Sequence, residues 1–265
     1  MIHKAEVVST TTLRRVDNEI RVLRRLRHGG IMRLYDVVHA PKCVYLVTDR
    51  AGRDLFEFFD EHLEGVSEAT AALLLHKIMM PVRYCHAMGV CHRDLKPENI
   101  LFADTDPFTA ASRVLLCDFG LCARVETDAE EAALRAAGRR TRPLGEFCGS
   151  PGFFAPEMLV RGSYDGKLAD VWSLGCILLE LVLGHEDFCR LWMGAYEYDK
   201  LKVPVHFEAA VAASVAALGR ELPSRLSPEL VDFILTALSL DDSRRRTVSD
   251  MLRHPWMAAH RLAPT

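Results

Sequence analysis

A chain of 265 residues, 49% of them apolar and 26% charged, is long enough to bury about 70–75% of its unfolded surface and too apolar to be disordered. Its 33 basic and 36 acidic side chains leave a net charge of −3, which excludes a bulk electrostatic surface for nucleic acid or membrane. The eight cysteines form no C-x-x-C pair, residues 1–12 carry no continuous apolar run, and the longest apolar stretch, Leu174 to Leu183, is interrupted by Glu180; neither disulfides, structural zinc, a leader nor a membrane span is expected, and the thiols read as reduced core residues of a cytoplasmic or nuclear protein.

The first predicted element is a helix, because Leu13, Val16, Ile20, Leu23 and Leu26 recur at helical intervals, arginines face elsewhere, and Gly29–Gly30 stop it. Two extended runs, Ile31–Val38 and Cys43–Thr48, flank the turn-like His39-Ala40-Pro41-Lys42 and predict a hairpin. From Asp54 the chain reads as mostly helical. Ser67 and Glu68 open an apolar-periodic segment to about Met88, and Pro81 within it predicts a kink or local break before Gly89 ends it. Short strands at Ile100–Phe102 and Val114–Leu116 follow. Thr127-Asp128-Ala129-Glu130 is a capping box with acids first and Arg135, Arg139 and Arg140 after, which predicts a short helix over residues 128–137, with a disordered charged loop as the alternative. Asp170–Leu183 is apolar nearly all round and reads as a buried central helix. Ser227-Pro228-Glu229 caps a helix over Leu230–Leu240, and Thr247-Val248-Ser249-Asp250 starts the final one. A small strand-bearing front and a large helical body make an α+β chain.

The stretch His92-Arg93-Asp94-Leu95-Lys96-Pro97-Glu98-Asn99 carries the chemistry, since eight specified residues in order arise by chance with a probability on the order of 10⁻¹⁰ per position. Asp118-Phe119-Gly120, Ala155-Pro156-Glu157, Asp170-Val171-Trp172-Ser173-Leu174-Gly175 and Arg244-Arg245-Arg246 … His254-Pro255-Trp256 follow in order. Together they resemble the catalytic domain of eukaryotic serine/threonine protein kinases of the calcium/calmodulin-dependent-kinase-like type. The resemblance implies a bilobal kinase domain over residues 1–258. Its incomplete N-lobe would occupy residues 1–48, a hinge 49–54 and a mostly helical C-lobe 55–258, with a tail at 259–265.

Phosphoryl transfer needs positioning and charge neutralisation more than covalent chemistry. Asp94 is therefore expected to accept the substrate hydroxyl's proton, and Lys96 to set an ammonium beside the migrating phosphate. Asn99 and Asp118 offer the hard oxygens that Mg²⁺ prefers. The implied cofactors are ATP and Mg²⁺. The resemblance further implies that Lys96 and the Cys148-Gly149-Ser150-Pro151 loop select serine or threonine, with Ser150 bonded to Asp94 and Lys96. It also implies that Glu157 pairs with Arg245, that Leu46–Ala51 cradle adenine behind Thr48, and that Asp54 meets the ribose. Glu98 implies protein substrates with an upstream arginine. Arg93 implies control by an upstream activating kinase or a regulatory subunit, with Glu146 standing in for a phosphate on the activation segment and Thr141 as the alternative switch.

Glu19 fits the helix glutamate that pairs with the ATP-binding lysine, but no G-x-G-x-x-G precedes it. That departure implies an N-terminally incomplete domain of weak activity, in which either Lys4 or a residue before Met1 is the lysine. The alternative function is a pseudokinase acting as a protein-binding regulatory module. Cys117 is left open as an accessible nucleophile or a core thiol.

Overall fold

The computed structural model describes residues 1–103 and 112–260. The front of the molecule is one helix and one sheet. Strand β1 (Ile2–His3) precedes α1 (Thr10–Arg25), whose N-terminus is capped by the Ser9 hydroxyl accepting from the Thr12 amide. Leu23 and Leu26 are buried, whereas Leu13, the first member of the predicted stripe, is 59% exposed. The helix ends at Arg25, ahead of the two glycines, because Leu26 is already extended and takes its apolar side chain into the core.

Strands β2 (Leu34–His39) and β3 (Cys43–Thr48) form the expected antiparallel hairpin, and β1 adds to the free edge of β3 in the order β1-β3-β2. The first run begins later than predicted. Its opening residues are committed elsewhere: Met32 N–H donates to the Leu116 carbonyl, and Leu116 N–H to Gly30. This stitch joins the front to the body.

Beyond β3, the short α2 (Leu55–Phe59) is capped by Asp54 and Glu57 in a reciprocal capping box. The long α3 (Glu68–Ala87) starts at Ser67 as expected and runs through Pro81 without the predicted break. Its inner face, from Ala71 and Leu75 to Val82 and Cys85, is buried, and this packing outweighs the one backbone hydrogen bond that a proline removes. Pro81 is itself buried against Gly30, where a Cβ would come within 3.0 Å of the proline ring.

Four short strands, β4 (Val90–Cys91), β5 (Ile100–Phe102), β6 (Val114–Leu116) and β7 (Ala123–Arg124), then pair antiparallel as β4-β7 and β5-β6. They bracket the region from His92 to Gly120. The predicted helix near 128–137 forms as α4 (Asp128–Ala136) with its Thr127–Glu130 capping box, and Lys167 clasps it through Asp128 and Glu131. The disordered-loop alternative is excluded.

The body continues with α5 (Pro156–Val160), α6 (Gly166–Leu183), α7 (His185–Leu191), α8 (Tyr198–Leu201) and α9 (Pro204–Glu221). It closes with α10 (Pro228–Ala237), α11 (Val248–Met251) and α12 (Pro255–Ala259). Helix α6 is buried from Ala169 to Leu183 and is the axis of the core, as its all-round apolarity predicted. At Gly175 an added Cβ would lie 2.9 Å from both Ala237 and Leu238, so only glycine lets the end of α10 close on it. Helix α10 stops short of Leu240, and the predicted final helix is two turns rather than one element, because Pro255 restarts the chain with His254 extended. All eight cysteines are free, six of them buried, and no described helix is long and apolar enough to cross a membrane.

Candidate active site

Asp170, fully buried at the start of α6, organises the loop from His92 to Asn99. Its carboxylate accepts the backbone amides of His92 (2.8 Å) and Arg93 (2.7 Å) and pairs with His86 Nε2 of α3 (2.8 Å). His86 was not expected from the sequence; its only sequence signal is its place on the buried face of α3. The anchored loop holds Arg93 at φ 66, and Asp118 sits at φ 56, both in the left-handed region that non-glycine residues avoid. They are the only such non-glycine residues described. Strain of this kind persists where surrounding contacts over-determine the backbone. Here those contacts are Asp170 beneath Arg93, and the Gly120 amide donating to Asp118 Oδ1 at 3.2 Å.

Asp94, Asn99 and Ser150 come together. Ser150 Oγ donates to Asp94 Oδ1 at 2.8 Å, and Asn99 Nδ2 donates to the Asp94 carbonyl at 2.9 Å. The Cys117 amide bonds the Asn99 carbonyl, and His92 Nε2 lies 3.0 Å from the Cys117 carbonyl. These bonds bring the Asp94–Asn99 turn alongside the strand that delivers Asp118. Ser150 meets Asp94 as expected; no bond from it to Lys96 is found among the described residues.

Cys117 reports on the same space. Burial comes first in pushing its thiol up to about 12, followed by the negative charges of Asp118, Glu19 and Asp54, with Lys96 opposing. The charges of four residues singled out from the sequence are therefore felt at this one sulfur. Cys117 is a protonated lining thiol and not an activated nucleophile.

Glu19 is half-buried, and desolvation, with Asp118 next, raises its pKa to about 7. Lys4 does not reach it: it lies exposed in the turn Lys4–Glu6, with no ion pair to Glu19 among the described residues. Asp54 commits Oδ1 to the Glu57 amide at 2.8 Å, which leaves its second oxygen for a ligand. The Asn99 side-chain oxygen and Asp118 Oδ2 accept no hydrogen bond among the described residues, so two hard oxygens stand unclaimed. That donor set fits Mg²⁺, which takes one or two protein ligands and completes its shell with phosphates and water.

The segment between Gly120 and Ala155 is held from both ends. Arg93 Nη2 lies 3.2 Å from Glu146 Oε2, Nη1 reaches the Tyr164 hydroxyl at 3.1 Å, and Nε the Leu121 carbonyl at 2.7 Å. Tyr164 donates onward to the Glu146 carbonyl. Arg93 and Tyr164 thus both contact Glu146. At the far end Glu157 and Arg245 form a buried bidentate pair at 2.5 and 2.8 Å, with the guanidinium 4.8 Å over the Trp172 ring.

Among protein families, residues 1–257 match the protein kinase domain. The chain is 31% identical over 250 residues to the probable serine/threonine-protein kinase MARK-A of Dictyostelium discoideum, covering 94% of this chain and 20% of that protein. It is 31% identical over 240 residues to the human SNF-related serine/threonine-protein kinase, covering 90% of this chain and 27% of the relative. To CBL-interacting protein kinase 11 of Oryza sativa subsp. japonica it is 31% identical over 258 residues, covering 97% and 45%. The chain spans a fifth to just under half of the length of these relatives.

Proposed function

The chain belongs to the protein kinase family, and from that premise we propose that it transfers the γ-phosphate of ATP to serine or threonine hydroxyls of proteins bearing an upstream arginine. We read residues 1–258 as one domain, with 1–48 its small lobe, 49–54 its hinge, 55–258 its large lobe and 259–265 a tail lying mostly outside the described residues. The observation that carries the proposal is the Ser150 hydroxyl donating to Asp94 Oδ1 at 2.8 Å. The carboxylate already does to a serine of this chain the first half of what it must do to a substrate: it orients the hydroxyl and accepts its hydrogen bond. Asn99 fixes the turn that carries Asp94, and Lys96 supplies a positive charge on the phosphate side. Asp54 offers its free oxygen to the ribose, and Glu19 keeps a carboxylate beside the phosphates.

Asp118 and Asn99 would hold magnesium through their unclaimed oxygens. When bound, the metal would supply charge neutralisation for the phosphates. No observation favours the pseudokinase alternative.

The arginine preference rests on two carboxylates. Glu98 is exposed at the end of the catalytic stretch, and its charge acts on Glu180, which is 2% exposed. Glu180 Oε2 has no hydrogen-bond partner among the described residues. A buried acceptor left unpaired costs stability unless something arrives to satisfy it, and a guanidinium does so. The test is phosphate transfer by the purified chain to paired peptides with arginine or alanine upstream of serine. Transfer that is lost in Asp94→Asn and faster on the arginine peptide supports the proposal. Transfer unchanged in Asp94→Asn overturns the kinase mechanism, and equal rates on the two peptides overturn only the arginine reading.

A further inference from the structure

Away from the phosphate cleft, at the junction of α6 and α7, three groups line up in the order of a nucleophile, a base and an orienting acid. Cys189 Sγ lies 3.5 Å from His185 Nε2, and His185 Nδ1 lies 2.7 Å from Glu180 Oε1. Glu180 is 2% exposed, whereas His185 and Cys189 are half-buried and open to small solutes. The Phe56 ring packs edge-on to the imidazole at 5.7 Å, which limits its swing.

We infer that Cys189 is a site of reversible oxidation, with His185 as its general base and Glu180 holding the imidazole in the competent tautomer. With Glu180 ionised, Nδ1 carries the proton that Oε1 accepts, and Nε2 presents its lone pair to the thiol. His185 Nε2 takes the Cys189 proton as the sulfur electron pair attacks one oxygen of hydrogen peroxide. The S–O bond forms, the O–O bond breaks, and the departing hydroxide recovers the proton from His185 and leaves as water. The sulfur is oxidised by two electrons to the sulfenic acid and the peroxide is reduced; a thiol reductant reverses the change through a mixed disulfide.

The other cysteines lack this combination. Cys43 also meets a histidine, His3 Nδ1 at 3.5 Å, but it is buried and no carboxylate orients that imidazole among the described residues. Cys117 is half-buried like Cys189, yet the charges around it are mainly carboxylates. Burial and the Glu180 charge hold the Cys189 thiol above its ordinary pKa, so it rests protonated and depends on the base, as a serine nucleophile does. Burial raises Glu180 to about 7, with His185 lowering it and Glu98 raising it. The carboxylate that orients the imidazole is therefore ionised above that pH.

The experiment treats the full chain with hydrogen peroxide, traps sulfenic acid with a dimedone-type probe, and maps the label by mass spectrometry. Cys189 is expected to label at least about tenfold faster than Cys117, to lose about tenfold in His185→Asn, and to return to the thiol with dithiothreitol. Equal labelling of the two cysteines, or an unchanged rate in a folded His185→Asn chain, overturns the inference. The wild-type pH profile tests it without any substitution: a rate rising through pH 7 supports it, and one rising only as free thiols ionise refutes it.

Discussion

The buried acids of this molecule fall into two sets that behave oppositely. In the body, Glu157 and Asp170 are saturated: Glu157 by both nitrogens of the Arg245 fork, Asp170 by two loop amides and His86. Elsewhere, Glu19 in the front crowds Asp118 with no cation paired to it, and Glu180 at the α6–α7 junction keeps one oxygen unbonded, both statements among the described residues. A charge compensated within the chain holds the fold; a charge left uncompensated is a place where a ligand supplies the missing half.

The largest effects should break the first set. Removing one partner of a buried ion pair strands the other, at about 3–5 kcal/mol. Glu157→Ala and Arg245→Ala are each expected to lower the urea midpoint by most of that amount, while the double change costs less than the sum. A loss below about 1 kcal/mol in either single variant would show that water reaches the pair and that the two sets do not differ.

Asp94→Asn should do the reverse. It is expected to lower kcat about 10²–10⁴-fold while the melting temperature stays within a degree or two of wild type, about the resolution of such a comparison. Activity and stability would then separate along the line drawn between the two sets.

The sequence exposed this line only in part. The eight-residue stretch and the Asp118 triplet located the groove because transfer chemistry restricts residue type at fixed spacing. Pairs 88 residues apart in sequence, such as Glu157 and Arg245, were legible only through the family resemblance. Three things were not legible. His86 beneath the loop was hidden, since a histidine on an apolar helix face carries no sign of what lies across from it. The unbroken helix at Pro81 depends on packing against Gly30, which local propensity does not see. The α11–α12 interruption turned on Pro255, whose effect the capping signal at Thr247 masked.

A smaller effect sharpens the second set. Burial raises Glu19 and Glu180 each to a folded pKa of about 7 from the ordinary 4.5. Each holds its proton more tightly folded than unfolded, so its contribution to stability is greatest below pH 4.5 and is lost as pH rises toward 7. Replacing either with Gln removes that loss. Glu180→Gln and Glu19→Gln are therefore expected to match wild type near pH 4 and to exceed it by about 1–3 kcal/mol at pH 8. Equal differences at the two pH values would mean that these carboxylates are satisfied after all.

The smallest effect concerns Glu146, which belongs to neither set cleanly. Its partner Arg93 is buried, but its own side chain is 64% exposed, so solvent screens the pair and its worth to stability is below about 1 kcal/mol. Arg93 also keeps Leu121 and Tyr164 when Glu146 is removed. Glu146→Ala should therefore leave the melting temperature nearly unchanged and reduce transfer only about two- to fivefold, with the deficit shrinking as salt is raised. A loss beyond about a hundredfold, or about 2.7 kcal/mol, would place Glu146 among the charges that hold the segment in register and make it a true replacement for a phosphate. If instead Thr141→Ala costs more than Glu146→Ala, the switch lies at Thr141 and the carboxylate is only a surface contact. Because Arg93 adjoins Asp94 on a backbone already held in the left-handed region, even a modest change here is expected to be read out at the Asp94 carboxylate rather than in the stability of the body.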